Sequence, residues 1–139
     1  MSDNALADEV WSAMAAMVLN HHDSWKRDVI EATGLPFSRV RVITRLAKRA
    51  MTAKEIAESA TMDAPATTVA LNDLEDRGLI VREADPTNRR SKVVSLTEKG
   101  REVVASIDAV DDPAPDPFLV LSQAELRTLE TILAKMAAD

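Results

Sequence analysis

The chain has no cysteine and no tyrosine, and only two tryptophans and two phenylalanines among 139 residues. Without cysteine there is no disulfide, no thiol redox sensor, no cysteine nucleophile and no thiolate zinc site. With so few aromatics, Ala, Val, Leu and Met must fill the core, which favours closely packed helices over a sandwich or barrel. Three glycines leave no phosphate-cradling loop, and no Ser/His/Asp arrangement stands in a catalytic context, so the chain does not read as an enzyme. No secretory apolar segment and no bilayer-spanning run is present, which reads as a cytoplasmic protein with no membrane partner.

Charge is distributed unevenly. The net charge is −6, the wrong sign for a phosphate binder taken as a whole. Residues 1–34 carry −4 and residues 102–139 carry −6, whereas residues 35–101 carry +4. A local positive field can bind phosphate while acidic ends suppress indiscriminate association.

That basic segment also carries the clearest pattern. Thr52-Ala-Lys-Glu55 has capping-box spacing at the start of a short helix to Ala60. After a turn at Thr61-Met62, Asp63 can cap a second helix, with Pro65 tolerated in its first turn. Val69 or Ala70, with Leu71 and Leu74, faces its core, and Gly78 permits a left-handed exit. Strand-like runs at Ile80–Arg82 and Lys92–Leu96 then flank a basic loop, Asp85–Ser91. Two helices, a tight turn and a basic hairpin form a winged helix-turn-helix pattern, which places one helix in a major groove and a charged loop beside the backbone or minor groove.

The flanks read as helices. Val10, Met14, Met17, Val18, His21, Trp25 and Val29 line one face of a helix over residues 5–31, and Thr33-Gly-Leu-Pro36 breaks it. A helix from Phe37 to Arg49 follows, carrying Arg39, Arg41, Arg45, Lys48 and Arg49 on one face with no acid among them. Thr97 caps a helix with Val103, Val104, Ile107 and Val110, and the prolines of Asp111–Pro117 make a stiff extended connector. Ser122-Gln-Ala-Glu125 is a second capping box, opening a helix striped with Leu126, Leu129, Ile132, Leu133 and Met136. The expected architecture is mainly α with a small β-hairpin wing. It is one domain over 1–139, with a winged-helix DNA-binding lobe at 35–100 and helical dimerisation regions at 1–34 and 101–139. The terminal stripes need a partner, and the same helices of a second copy would supply one as a two-fold homodimer.

Three pieces in order, Leu74-Glu-Asp-Arg-Gly-Leu-Ile80, Asp85-Pro-Thr-Asn-Arg-Arg-Ser91 and Val94-Ser-Leu-Thr-Glu-Lys-Gly-Arg101, resemble the MarR family of bacterial transcriptional regulators. They are similar to the family's recognition-helix exit, its Asp-Arg-Arg wing tip and its Leu-Thr-x-x-Gly helix start, and the resemblance covers nearly the whole chain. It implies a homodimer on a palindromic operator, usually a repressor, often released by a small amphipathic ligand. Asn88 stands where the family usually has Asp before the arginine pair. Either the wing is more loosely ordered, or Asp85 takes that role.

The candidate DNA contacts are Ala64, Pro65, Ala66, Thr67 and Thr68 at the start of the recognition helix, Arg89, Arg90 and Lys92 on the wing, and Arg39. Small residues at that helix start bring the backbone close and leave much of the selectivity to backbone contacts and DNA shape. Arg39, Arg41 and Arg45 either reach phosphate or form a solvated face. His21 and His22 point in different directions on a helix, and no metal or cofactor is expected. Trp25, His21, His22 and Phe37 either border an effector cavity, as the resemblance implies, or simply pack in the core. The expected partners are double-stranded operator DNA, a second copy of the chain and a small amphipathic effector. The alternative function is a winged-helix protein–protein module whose basic face docks an acidic partner.

Overall fold

A computed structural model describes residues 3–138. Among these the order is α1 (Ala5–Thr33), α2 (Phe37–Leu46), β1 (Met51–Thr52), α3 (Ala53–Ala60), α4 (Ala64–Asp76), β2 (Ile80–Asp85), β3 (Asn88–Leu96), α5 (Glu98–Asp108), α6 (Asp116–Leu119) and α7 (Gln123–Ala137). The chain divides into two compact units: His22–Asp111, and the stretches up to His21 and from Asp112 onward.

In the first unit the core is aliphatic, as the scarcity of aromatics requires. Val29 of α1, Val40, Val42 and Ile43 of α2, Ile56 of α3, Leu71 and Leu74 of α4, Ile80 and Val94 of the sheet and Ile107 of α5 are all buried. Each large aliphatic side chain taken fully out of water contributes about 1.5–3 kcal/mol. Val29 and Ile107 belong to this core, so the compact unit extends on both sides of the 35–100 lobe.

Local signals set the helix ends. Thr52 Oγ1 accepts from Glu55 N at 3.2 Å and Glu55 Oε1 accepts from Thr52 N at 3.1 Å, completing the first capping box. Asp63 Oδ1 accepts from Ala66 N at 2.7 Å. Arg77 ends α4, and Gly78 turns the chain at φ +76°. On α4, Ala70 takes the core position and Val69 is exposed.

Three expectations are corrected. Helix α2 stops at Leu46 rather than Arg49, because the chain must extend to pair Met51 with Val94 and Thr52 with Val93. That pairing makes the sheet three-stranded, in the order β1-β3-β2. The wing hairpin is longer than expected: its strands run to Asp85 and from Asn88, so Pro86-Thr87 is the turn and Arg89 and Arg90 lie on β3 rather than on a loop. Part of the Asp111–Pro117 connector is helical, since Pro117 fits the first turn of α6, where its missing N–H would have no helical partner anyway.

The second unit is built from the N-terminal part of α1 with α6 and α7. The Ser122–Glu125 capping box forms there as well. The apolar stripe of α7 has no buried residue, and Ile132, Leu133 and Met136 are exposed. Leu6, Val10, Trp11, Val18 and Leu19 of α1 are also exposed.

Candidate nucleic-acid interface

The buried face of α4 is defined by Thr67, Ala70, Leu71 and Leu74. The sequence pattern places Thr67 among the DNA contacts, and the geometry corrects this. It is 2% exposed, and its hydroxyl donates to the Asp63 carbonyl at 2.8 Å. Three- and four-residue steps put it on the same side as Ala70, Leu71 and Leu74, so it is a satisfied core polar group. Thr68, one position on, is exposed; its hydroxyl proton goes to the Ala64 carbonyl at 3.0 Å. Its methyl and oxygen lone pairs remain available. Ala64, Pro65 and Ala66 are exposed beside it. Val69 and Asn72 complete this outer surface, and the sequence reading misses both. Steps of three and four from Pro65 and Thr68 would have found them.

The arginines between residues 39 and 90 sort into two groups. Arg39, a candidate phosphate contact, is instead a strut between helices. Its Nε donates to Asp73 Oδ2 at 2.9 Å, and its side chain is only 19% exposed. Arg77 Nε donates to the other oxygen of Asp73 at 3.1 Å. These two guanidinium groups, Arg39 first, hold the Asp73 carboxyl below its ordinary range. Arg41 donates to the Ala60 carbonyl and Arg45 to the Ser59 carbonyl at 3.1 Å. Arg41 and Arg45 of α2 therefore cap the carbonyl end of α3, where cationic groups are favoured. Arg49 pairs with Glu55 at 2.9 Å. Arg82 makes a fork onto Glu75, Nη2 to Oε1 at 2.9 Å and Nε to Oε2 at 3.2 Å, and this lowers the Glu75 pKa.

Arg89 and Arg90 differ. Both are exposed, and neither side chain has a hydrogen-bond or ion-pair partner among the described residues. The β2–β3 register explains why they stand out. Ala84 pairs with Lys92, the register then shifts, and Asp85 pairs with Asn88, leaving Arg89, Arg90 and Ser91 without partners on β2. The neighbouring acids do not hold them. Asp85 Oδ1 accepts from Thr87 N at 2.9 Å and from Thr87 Oγ1 at 2.7 Å, which lowers its pKa and fixes the turn. Asn88 Oδ1 accepts from Arg90 N at 3.1 Å. The wing tip is thus ordered by short-range turn bonds rather than by an Asp–Arg pair. Lys92 is exposed on β3 and electrostatically assists Glu75.

Elsewhere in the same unit, three of the four effector candidates come together. The His22 and Trp25 rings lie 5.1 Å apart, Trp25 and Phe37 meet edge-on at 6.0 Å, and His22 reaches Phe37 at 6.1 Å. Lys26 Nζ sits 4.8 Å above the Phe37 ring. Trp25 and Phe37 also pack against the core. His21 has no ring contact among the described residues and is exposed. Among the described residues no three His, Cys, Asp or Glu side chains are grouped to hold a metal ion, and no helix is long and apolar enough to cross a membrane.

Comparison with known proteins agrees with this arrangement. Residues 33–91 match the model of the MarR family. The chain is 25% identical over 133 residues to the transcriptional regulator HosA of Escherichia coli O111:H-, covering 95% of this chain and 97% of that protein. A structure of a MepR mutant from S. aureus superposes with a TM-score of 0.70 at 22% identity, covering 91% of this chain and 95% of the other. Another S. aureus MepR mutant, bound to an oligodeoxyribonucleotide, gives a TM-score of 0.62 at 21% identity and covers 91% and 94%. With its helix-turn-helix pair α3–α4 and its β2–β3 wing, the chain has the winged-helix fold of these structures, and its residues 33–91 are similar to the MarR family of transcriptional regulators.

Proposed function

We propose that the protein is a dimeric repressor that occupies a palindromic operator in the cytoplasm, inserting α4 into the major groove and gripping the adjacent backbone or minor groove with Arg89 and Arg90. The observation that carries this reading is the division of the arginines between residues 39 and 90. Arg39, Arg49, Arg77 and Arg82 are paired with carboxylates, while the two at the register shift of the wing are exposed and unpaired among the described residues. An unpaired surface cation pair on the wing and an exposed face of small and hydroxyl-bearing residues on α4 suit phosphate contact and close backbone approach. The MepR structure with a bound oligodeoxyribonucleotide supports the same use of the fold.

The dimer reading rests on the apolar residues that α1 and α7 leave in solvent, including Leu6, Trp11, Val18, Ile132 and Met136. An exposed apolar surface of this kind marks an association site, and two copies joined there would carry two reading heads. The His22–Trp25–Phe37 cluster, with Lys26 beside it, is the proposed site for a small amphipathic anion. Such a ligand would release the operator by favouring a conformation in which the two heads no longer match the half-site spacing. No catalytic role is assigned.

The test is selection of the purified full chain on duplexes with randomised interiors, with sedimentation equilibrium on the same sample. The expected outcome is a two-fold symmetric consensus and twice the monomer mass. Equal binding to all duplexes, together with tight binding to an acidic polypeptide, would overturn the operator reading in favour of an acidic protein partner.

A further inference from the structure

Asn72 is exposed in the outer face of α4, four residues after Thr68 and seven after Pro65, so the three side chains rise from one stripe. Its amide does not rotate freely. Arg82, on the first wing strand, donates from Nη2 to Asn72 Oδ1 at 2.8 Å. The same guanidinium is held by the Glu75 carboxylate through Nη2 and Nε at 2.9 and 3.2 Å. A guanidinium has donors only, so it selects the oxygen of the amide and leaves the NH2 group facing away. That NH2 has no partner among the described residues.

This orientation bears on base reading. Asparagine usually reads adenine with both amide atoms, accepting from N6 and donating to N7. Here Arg82 takes one of the two lone pairs of the amide oxygen and holds that oxygen toward β2, so the NH2 group is the part of the amide that faces outward. Guanine presents two acceptors, N7 and O6, on its major-groove edge. We infer that Asn72 is a specificity-determining residue that selects guanine, its amide orientation set by Arg82 and Glu75 as positioning residues. This rests on the proposal that α4 reads a major groove. The interaction also couples the two DNA-facing elements, since the strand that leads to Arg89 and Arg90 fixes the donor on the recognition helix.

The test uses the full chain on duplexes with randomised interiors, comparing wild type with Asn72→Ala, Asn72→Asp, Arg82→Met and Arg82→Lys. Wild type should select guanine at one position of each half-site. Asn72→Ala should lower that preference about 5-fold or more, the lower end of what one base contact contributes, and leave other positions unchanged. Asn72→Asp replaces donors by acceptors and should move the preference toward cytosine, whose N4 donates. Arg82→Met frees the amide to turn and should admit adenine at the same position, a change that disturbed packing alone would not produce. Arg82→Lys keeps a donor-only group and should retain guanine, which also serves if the methionine variant folds poorly. If wild type selects a consensus and Asn72→Ala selects the same one at every position, the role of Asn72 is overturned while groove reading stands. If wild type shows no sequence preference, groove reading and the role of Asn72 fall together.

Discussion

The Thr97 hydroxyl donates to the Gly78 carbonyl oxygen at 2.7 Å, joining the N-cap of α5 to the exit of α4. Thr97 N also donates to the Leu79 carbonyl at 3.0 Å, and Lys99 Nζ reaches the Arg77 carbonyl at 3.0 Å. Thr97 Oγ1 meanwhile accepts from Gly100 N at 3.0 Å. Two motifs that are separate in sequence, Arg77-Gly78-Leu79 and Leu96-Thr97-Glu98-Lys99-Gly100, therefore form one joint. The wing hairpin starts and ends at that joint, so the joint sets where the wing leaves the helix-turn-helix.

Gly100 is required by this joint for lack of space, not for backbone freedom. It lies inside α5 and is buried; a Cβ there would collide with the Leu79 carbonyl oxygen and meet Leu96 Cδ2 at 3.2 Å. In an open helix, Gly→Ala stabilises by roughly 1 kcal/mol. Gly100→Ala should do the reverse, destabilising by about 1–3 kcal/mol as overpacking does against backbone that cannot yield. Urea denaturation should show the midpoint falling with little change in slope. A gain in stability would mean that α5 can shift away from Leu79 without cost.

The two adjacent threonines of α4 should separate stability from DNA affinity. Thr67 is buried, with its hydroxyl on the Asp63 carbonyl, so Thr67→Ala removes packing and a satisfied hydrogen bond and should cost about 1–3 kcal/mol of stability. Thr68 is exposed, so Thr68→Ala should leave stability within about 0.5 kcal/mol and weaken binding to the selected operator. Thermal melts and operator titrations on both variants check the pair. The opposite assignment would mean that α4 is rotated from the face described.

Much of this architecture is legible in the residues. Both capping boxes, the Asp63 cap, the Gly78 exit and the aliphatic core follow from local rules. Features that depend on distant chain are not. The two-residue strand β1 carries no alternation and exists because β3 offers Met51 and Thr52 a partner. Thr67 and Thr68 are indistinguishable by type, and only the phase of the helix against Leu71 and Leu74 assigns one to the core. Arg39 carries no sign of its future partner, since Asp73 lies 34 residues away. The wing arginines are recognisable by type, but their freedom from acids depends on the Asp85–Thr87 and Asn88–Arg90 turn bonds.

Acid should loosen the α2–α4 and wing clamps. Asp73 and Glu75 ordinarily titrate near 3.8 and 4.5, and their arginine partners lower both values in the folded state. A lowered folded value means that the contribution is fully present above the ordinary value and is lost as pH falls through the lowered one. Stability should therefore show no loss from these groups down to about pH 5 and should decline progressively below it. Asp73→Asn, compared by urea midpoint at pH 7 and at acid pH, should narrow the difference between the two. An unchanged pH profile would show that the Arg39 and Arg77 contacts add nothing beyond what the unfolded chain provides.

The wing offers the most direct electrostatic measurement. Arg89 and Arg90 are exposed and have no side-chain partner among the described residues, so replacing either breaks no internal bond that its side chain makes there. If each neutralises a phosphate, binding releases the counterions held there. The slope of log affinity against log salt should then become shallower by about 0.9 for each phosphate no longer neutralised. In a dimer one substitution removes two such cations. Arg90→Ala should also weaken operator binding by ~1–3 kcal/mol if its guanidinium enters the minor groove, and by less if it only lies near phosphate. Stability should stay within about 0.5 kcal/mol of wild type. Arg39→Ala provides the contrast within the same protein. It breaks the strut to Asp73, so it should lower stability while leaving the salt slope unchanged. Salt titrations of Arg89→Ala, Arg90→Ala, the double variant and Arg39→Ala on one selected duplex separate these roles. Wing variants that match wild type in both affinity and slope would remove Arg89 and Arg90 from the interface and leave DNA binding to α4 alone.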